Sequence, residues 1–177
     1  MQNVIPIAAL LRVLEAHEVE FIVVGGVSAV LNGAPISTID LDIVHRRTPE
    51  NVRRLVAALG ELNAVFRSDP RGLRPTEAAL MGLGHQLLTT KFGVLDVLGS
   101  VEAGTTYEDL LPDTYVLDLD DSQVRTLTLR RLILTKERVG RPKDLAVLPI
   151  LRATLEEISS VPPPDSEDEP SKSRELN

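Results

Sequence analysis

FIVVGGVSAVLNGAPISTIDLDIV, residues 21–44, is the stretch on which the fold and the chemistry turn. Phe21-Ile22-Val23-Val24 is short, apolar and rich in β-branched residues, which reads as a buried strand. Gly25-Gly26 ends it and opens a helix-like segment, Val27 to Leu31, closed by Asn32-Gly33. Paired glycines at a strand-to-helix turn let backbone approach a ligand and leave N–H groups free for an anion such as phosphate. After Pro35 a second strand, Ile39 to Val44, carries Asp40 and Asp42 on one face and Ile39, Leu41 and Ile43 on the other. Aspartate is a poor strand former, and two on one face repel each other. Divalent cations relieve that repulsion, and two of them ~3.5–4 Å apart clamp the attacking and leaving oxygens of a phosphoryl transfer.

A third carboxylate comes from further along. Residues 84–98 read as a β-hairpin, with strands His85 to Thr90 and Val94 to Leu98 around Lys91-Phe92-Gly93. Asp96 sits inside the second, apolar strand, where an unpaired carboxylate is costly, so it is protonated, ion-paired or on a metal. Competing phosphate motifs are missing: neither G-x-x-x-x-G-K-[ST] nor G-x-G-x-x-G occurs. There is no Ser/His/Asp elbow, and three scattered histidines do not make a zinc site.

Gly25-Gly26, thirteen intervening residues and then Asp40-Leu41-Asp42 resemble the signature of the DNA polymerase β-like nucleotidyltransferase superfamily. The wording VVGGVSAVLNGAPISTIDLDIV is most similar to small bacterial members that include AbiEii-type toxins of toxin–antitoxin systems. The resemblance runs from about residue 5 to residue 155. It implies a nucleotidyltransferase α/β (α+β) fold, a small mixed twisted sheet with helices packed mainly on one side. It also implies Mg²⁺, two ions, held by Asp40, Asp42 and Asp96, with a nucleoside triphosphate such as ATP as substrate. Gly25 and Gly26 would cradle the phosphates. Many members carry Ser where Gly26 stands, and Thr38 is the hydroxyl nearby. The basic-acidic cluster Arg141-Pro142-Lys143-Asp144 matches one that opens a late helix in the family. There Lys143 would contact the triphosphate and Asp144 orient it; the alternatives, a surface charge and a helix N-terminal acid, stay open.

Three functions follow. The first is nucleotidyl transfer to an acceptor hydroxyl on RNA, a protein or a small molecule, with a cognate antitoxin or toxin as partner. The second is a nucleotide- or protein-binding module without turnover. The third is an antibiotic-type small-molecule adenylyltransferase.

Around this centre the chain is ordinary. Its 177 residues suffice for one domain with a proper core, placed here at residues 1–158. Only three Phe and two Tyr occur, so that core is aliphatic; no cysteine excludes disulfides and thiolate metal sites. No signal peptide and no apolar run of ~20 residues is visible, so a soluble, cytoplasmic protein without a membrane partner is expected. The net charge of −7 does not favour extended binding to duplex nucleic acid. Arg46, Arg47, Arg53 and Arg54 read as solvated helix faces; Arg130 to Lys143 is the other basic stretch.

Helices are expected over residues 4–18, from the Thr48-Pro49-Glu50 start to about Leu62, over Thr105 to Leu111 and over Arg130 to Val139. A last helix is expected from Pro142 to about Ile158, kinked at Pro149. Strands are expected at Thr114 to Leu119 and Val124 to Leu129 around Asp120-Asp121-Ser122. Asp118, Asp120 and Asp121 fit turn chemistry better than a second metal site. Residues 63–82 are the least readable, a candidate loop for the substrate pocket. Residues 159–177, rich in Pro, Ser and acids, are expected to be a disordered tail.

Overall fold

A computed structural model describes residues 4–119 and 122–160. Elements alternate as the hydrophobic patterning requires: α1 (Val4–Ala16), β1 (Phe21–Val24), α2 (Gly25–Leu31), β2 (Asp40–His45), α3 (Pro49–Glu61), β3 (Val65–Phe66), α4 (Glu77–Met81), β4 (His85–Thr90) and β5 (Gly93–Leu98). There follow α5 (Tyr107–Leu110), β6 (Thr114–Leu119), β7 (Ser122–Leu127), α6 (Leu129–Val139) and α7 (Pro142–Ser160), with short 3₁₀ turns on either side of α5. The seven strands form one mixed sheet in the order β3-β4-β5-β2-β1-β7-β6. β1 runs antiparallel to β2, whereas β2–β5 and β1–β7 are parallel pairs.

Local signals set the boundaries. The Thr48 hydroxyl accepts the Asn51 N–H and Pro49 occupies the first turn, so α3 begins where the cap-and-proline pattern places it. The Thr128 hydroxyl caps α6 in the same way, which ends β7 at Leu127 and moves Leu129 from the expected strand into the helix. Gly140, left-handed at φ 65°, closes α6. β2 begins at Asp40, leaving Ile39 71% exposed rather than in the strand. α7 contains Pro149 without ending there and reaches Ser160, two residues into the expected tail. Residues 161–177, and the expected turn residues Asp120 and Asp121, lie outside the described residues.

Strand alternation sorts side chains into two cores. Phe21 and Val23 of β1, Leu41 and Ile43 of β2, and Leu95 and Val97 of β5 join α1 and α3 in one cluster. Ile22 and Val24, Val44 and Leu98 join α2, α6 and α7 in the other. The helices, expected mainly on one side, thus divide between both faces, because the central strands are apolar on both. Asp40, Asp42 and Asp96 share the parity of Val44 and Leu98, so they stand on the α6/α7 face, where the helical layer leaves a gap.

Candidate active site

The parallel register of β2 and β5 places Asp42 opposite Asp96. Asp40 lies two residues along the same face, and one carboxylate oxygen from each of the three falls within 4.8 Å of the others. Asp96 is 9% exposed, and the other two are half-buried. Burial first, and then the charges of Asp40 and Asp96, push the Asp42 carboxyl up to about 7. The Asp96 carboxyl is also raised, by burial above all; the Arg67 guanidinium, which contacts it, opposes the shift. Asp40 accepts a hydrogen bond from the Thr38 hydroxyl at 2.8 Å. Three crowded hard oxygen donors whose mutual repulsion a cation would relieve suit Mg²⁺ or a similar ion. Among the described residues this is the one cluster of three or more metal-ligating side chains.

The carboxylates line a cleft of about 590 Å³. Gly25 and Gly26 are on its rim, and both are required by what faces them. Gly25 has φ 65°, and a Cβ there would lie 2.1 Å from Asp42 Oδ2. A Cβ on Gly26 would lie 2.6 Å from Thr38 Oγ1. The Thr38 hydroxyl therefore fills the space that a serine side chain at position 26 would need, and this explains the glycine. Both glycines belong to α2 itself, whose first residue is Gly25.

Across the cleft lie Lys136, Arg141, Lys143 and Asp144. Asp144 is buried, yet its carboxyl is lowered. Burial raises it, but hydrogen bonds from Arg141 Nε at 2.5 Å and Lys136 Nζ at 2.8 Å prevail. Asp144 thus anchors two cations at the start of α7. Lys143 is exposed, and its charge reaches Asp42 and Asp96 as a stabilising influence on their ionised forms.

Every residue expected from the sequence to form the site lines this cleft: Gly25, Gly26, Thr38, Asp40, Asp42, Asp96, Lys143 and Asp144. Two further cations contact carboxylates of the cleft, Arg67 at Asp96 and Lys136 at Asp144. Lys136 lay within the basic stretch Arg130–Lys143, a faint signal; Arg67 sits in the unreadable loop and had none. Two members of the other basic group form ion pairs away from the cleft. Arg46 pairs with Glu20 at 3.0 Å and Glu108 at 3.1 Å, and Arg54 with Glu50 at 2.9 Å. Asp118 accepts a bond from Gln123 Nε2 at 2.8 Å, in keeping with local strand-end chemistry.

No family model and no curated protein matches the chain. Among solved structures it is similar to a Thermotoga maritima protein described as a "putative nucleotidyltransferase". The TM-score is 0.53 at 18% identity, over 85% of this chain and 91% of that one. The fold is a nucleotidyltransferase fold. At that identity the likeness fixes the architecture, and the chemistry rests on the cleft. No described helix is long and apolar enough to cross a membrane.

Proposed function

We propose that this chain is a metal-dependent nucleotidyltransferase that moves a nucleoside monophosphate from a nucleoside triphosphate to an acceptor hydroxyl. One observation carries the reading: three carboxylates from two parallel strands converge within 4.8 Å, in a cleft rimmed by two glycines and faced by Lys143. Asp40, Asp42 and Asp96 would hold the divalent ions. When bound, these supply charge neutralisation of the triphosphate and activation of the acceptor hydroxyl.

The chain's own groups divide the remaining work. Gly25 and Gly26 present backbone without side chains, so phosphate oxygens can come close. Lys143 offsets the charge of the β- and γ-phosphates, and Asp144 holds Arg141 and Lys136 beside it. Thr38 fixes the Asp40 carboxylate. The acceptor oxygen attacks the α-phosphorus, the bond from that phosphorus to the bridging oxygen breaks, and pyrophosphate leaves. Asp96 receives the acceptor proton or orients the acceptor hydroxyl. In the finer proposal the chain is the toxin-like member of a toxin–antitoxin pair, supported by the wording of residues 21–44.

Calorimetric titration of each nucleoside triphosphate with Mg²⁺, on wild type and Asp42→Asn, tests the reading. Metal-dependent micromolar binding that weakens at least tenfold in the variant (about 1.4 kcal/mol) is expected. Binding indifferent to Asp42→Asn would reduce the site to a scaffold.

A further inference from the structure

The two edges of the sheet are finished differently. β3, at one edge, is two residues long, and the Leu73 carbonyl of the loop that follows accepts the Phe66 N–H at 2.9 Å. β6, at the other edge, is six residues long and pairs only with β7 among the described residues. The ladder to β7 continues one step before the strand, where Thr128 N–H donates to Asp113 O at 2.8 Å. Alternation therefore turns the backbone groups of Tyr115, Leu117 and Leu119 toward β7, and those of Thr114, Val116 and Asp118 outward. No hydrogen bond joins these outward N–H and C=O groups to a described residue. Proteins blunt such an edge with proline, lysine, a bulge or a covering segment. Thr114–Leu119 contains neither residue, its register with β7 is unbroken, and Val116 at its centre is 45% exposed.

We infer that the outer edge of β6 pairs antiparallel with the same edge of a second copy of this chain, about a two-fold axis at Val116. In that register the strand complements itself. The two Val116 residues exchange N–H···O=C bonds, and Thr114 and Asp118 of each copy lie opposite Asp118 and Thr114 of the other. The charges match as well. Asp118 is the one charged residue of β6, and it is exposed. Arg125 of β7 lies opposite Val116, and its Nη1 donates to Thr114 Oγ1 at 3.0 Å. That bond holds the guanidinium where Asp118 of the second copy arrives, so each copy gives one carboxylate and one guanidinium to the contact. On the other face the half-buried Tyr115 and Leu117 meet Leu117 and Tyr115. One sheet then runs through both copies. A single strand pair buries little surface, so the association is weak and depends on concentration.

Sedimentation equilibrium of the full chain, at up to about 1 mM, reads the association directly. Wild type should dimerise with a Kd inside that range. Val116→Pro removes an outward N–H and no bond to β7, and an edge strand tolerates proline at such a position. It should weaken dimerisation about tenfold or more, with the far-UV circular dichroism unchanged. Asp118→Arg and Arg125→Asp each set like charges against one another across the axis, so each alone should also dimerise more weakly. Mixed in equal amounts, these two variants bring opposite charges together at both contacts. The mixture should form a heterodimer within about threefold of the wild-type affinity, and it decides the matter if Val116→Pro does not fold. A wild type that is monomeric at every concentration overturns the inference and leaves the β6 edge to a strand of another protein or to residues 161–177. A dimer indifferent to Val116→Pro, or a mixture no tighter than either charge variant alone, overturns it too and moves the association to another surface.

Discussion

The two faces of the central strands are built from neighbouring residues and do opposite things. On one, Leu41, Ile43, Leu95 and Val97 are completely buried under α1 and α3. On the other, Asp40, Asp42 and Asp96 occupy the alternate positions and stand in a cleft. The first face stabilises, and the second is held in an unfavourable arrangement that the first makes affordable. Stability and chemistry are therefore separable by a step of one residue along the same strand.

The sharpest break of this comparison is a pair of adjacent substitutions. Asp42→Asn should lower nucleotidyl transfer by about 10³-fold or more (roughly 4 kcal/mol in the barrier) while the fold stays intact. Ile43→Ala, one residue on, should cost about 2–5 kcal/mol of unfolding free energy, with transfer per folded molecule nearly unchanged. Urea titration and a transfer assay on both proteins check this; equal losses in both assays for both variants would collapse the distinction. Next in size is Gly25→Ala, which joins the faces where α2 meets β2. Its left-handed backbone costs roughly 1–2 kcal/mol for alanine, and the new Cβ must push Asp42 aside. Lower stability and at least tenfold weaker Mg²⁺ binding are expected together.

The smallest effect is a pH dependence without divalent ions. The native Asp42 carboxyl titrates near 7 against a usual 3.8, so between those values the folded state keeps a proton that the unfolded chain releases. Its contribution therefore falls as pH rises from about 4 to 7 and is level above. Asp42→Asn lacks this loss. The variant's melting temperature should gain on wild type across that window, ending roughly 2–4 °C higher per kcal/mol relieved. Thermal melts at pH 5 and pH 7.5 in a chelator check the sign, and Mg²⁺ at pH 7.5 should narrow the gap by stabilising wild type.

What was legible in the sequence was local. β1, the glycine turn, the acidic strand and the hairpin carrying Asp96 each declare themselves within a few residues, through alternation and turn chemistry. The pairing of Asp96 with Asp42 was accessible only through resemblance, since strand order depends on which edges meet. Arg67 was hidden because it lies outside any periodic segment and acts through a neighbour 29 positions away. Lys136 looks like an ordinary helix residue until α6 folds over the sheet. The division of helices between two faces was hidden for a related reason. Strands apolar on both sides do not say which helix covers which side.

The Asp42–Asp96 register has an evolutionary consequence. Deleting one residue within β5 ahead of Asp96 would turn its carboxylate toward α1 and α3 and bring Leu95 or Val97 into the cleft. The site would vanish although no site residue had been replaced. Length changes between Asp69 and Pro75 carry no such penalty, because there the chain is loop between β3 and α4. The lineage of this chain should accordingly record insertions and deletions freely in that loop and hardly at all between His85 and Leu98.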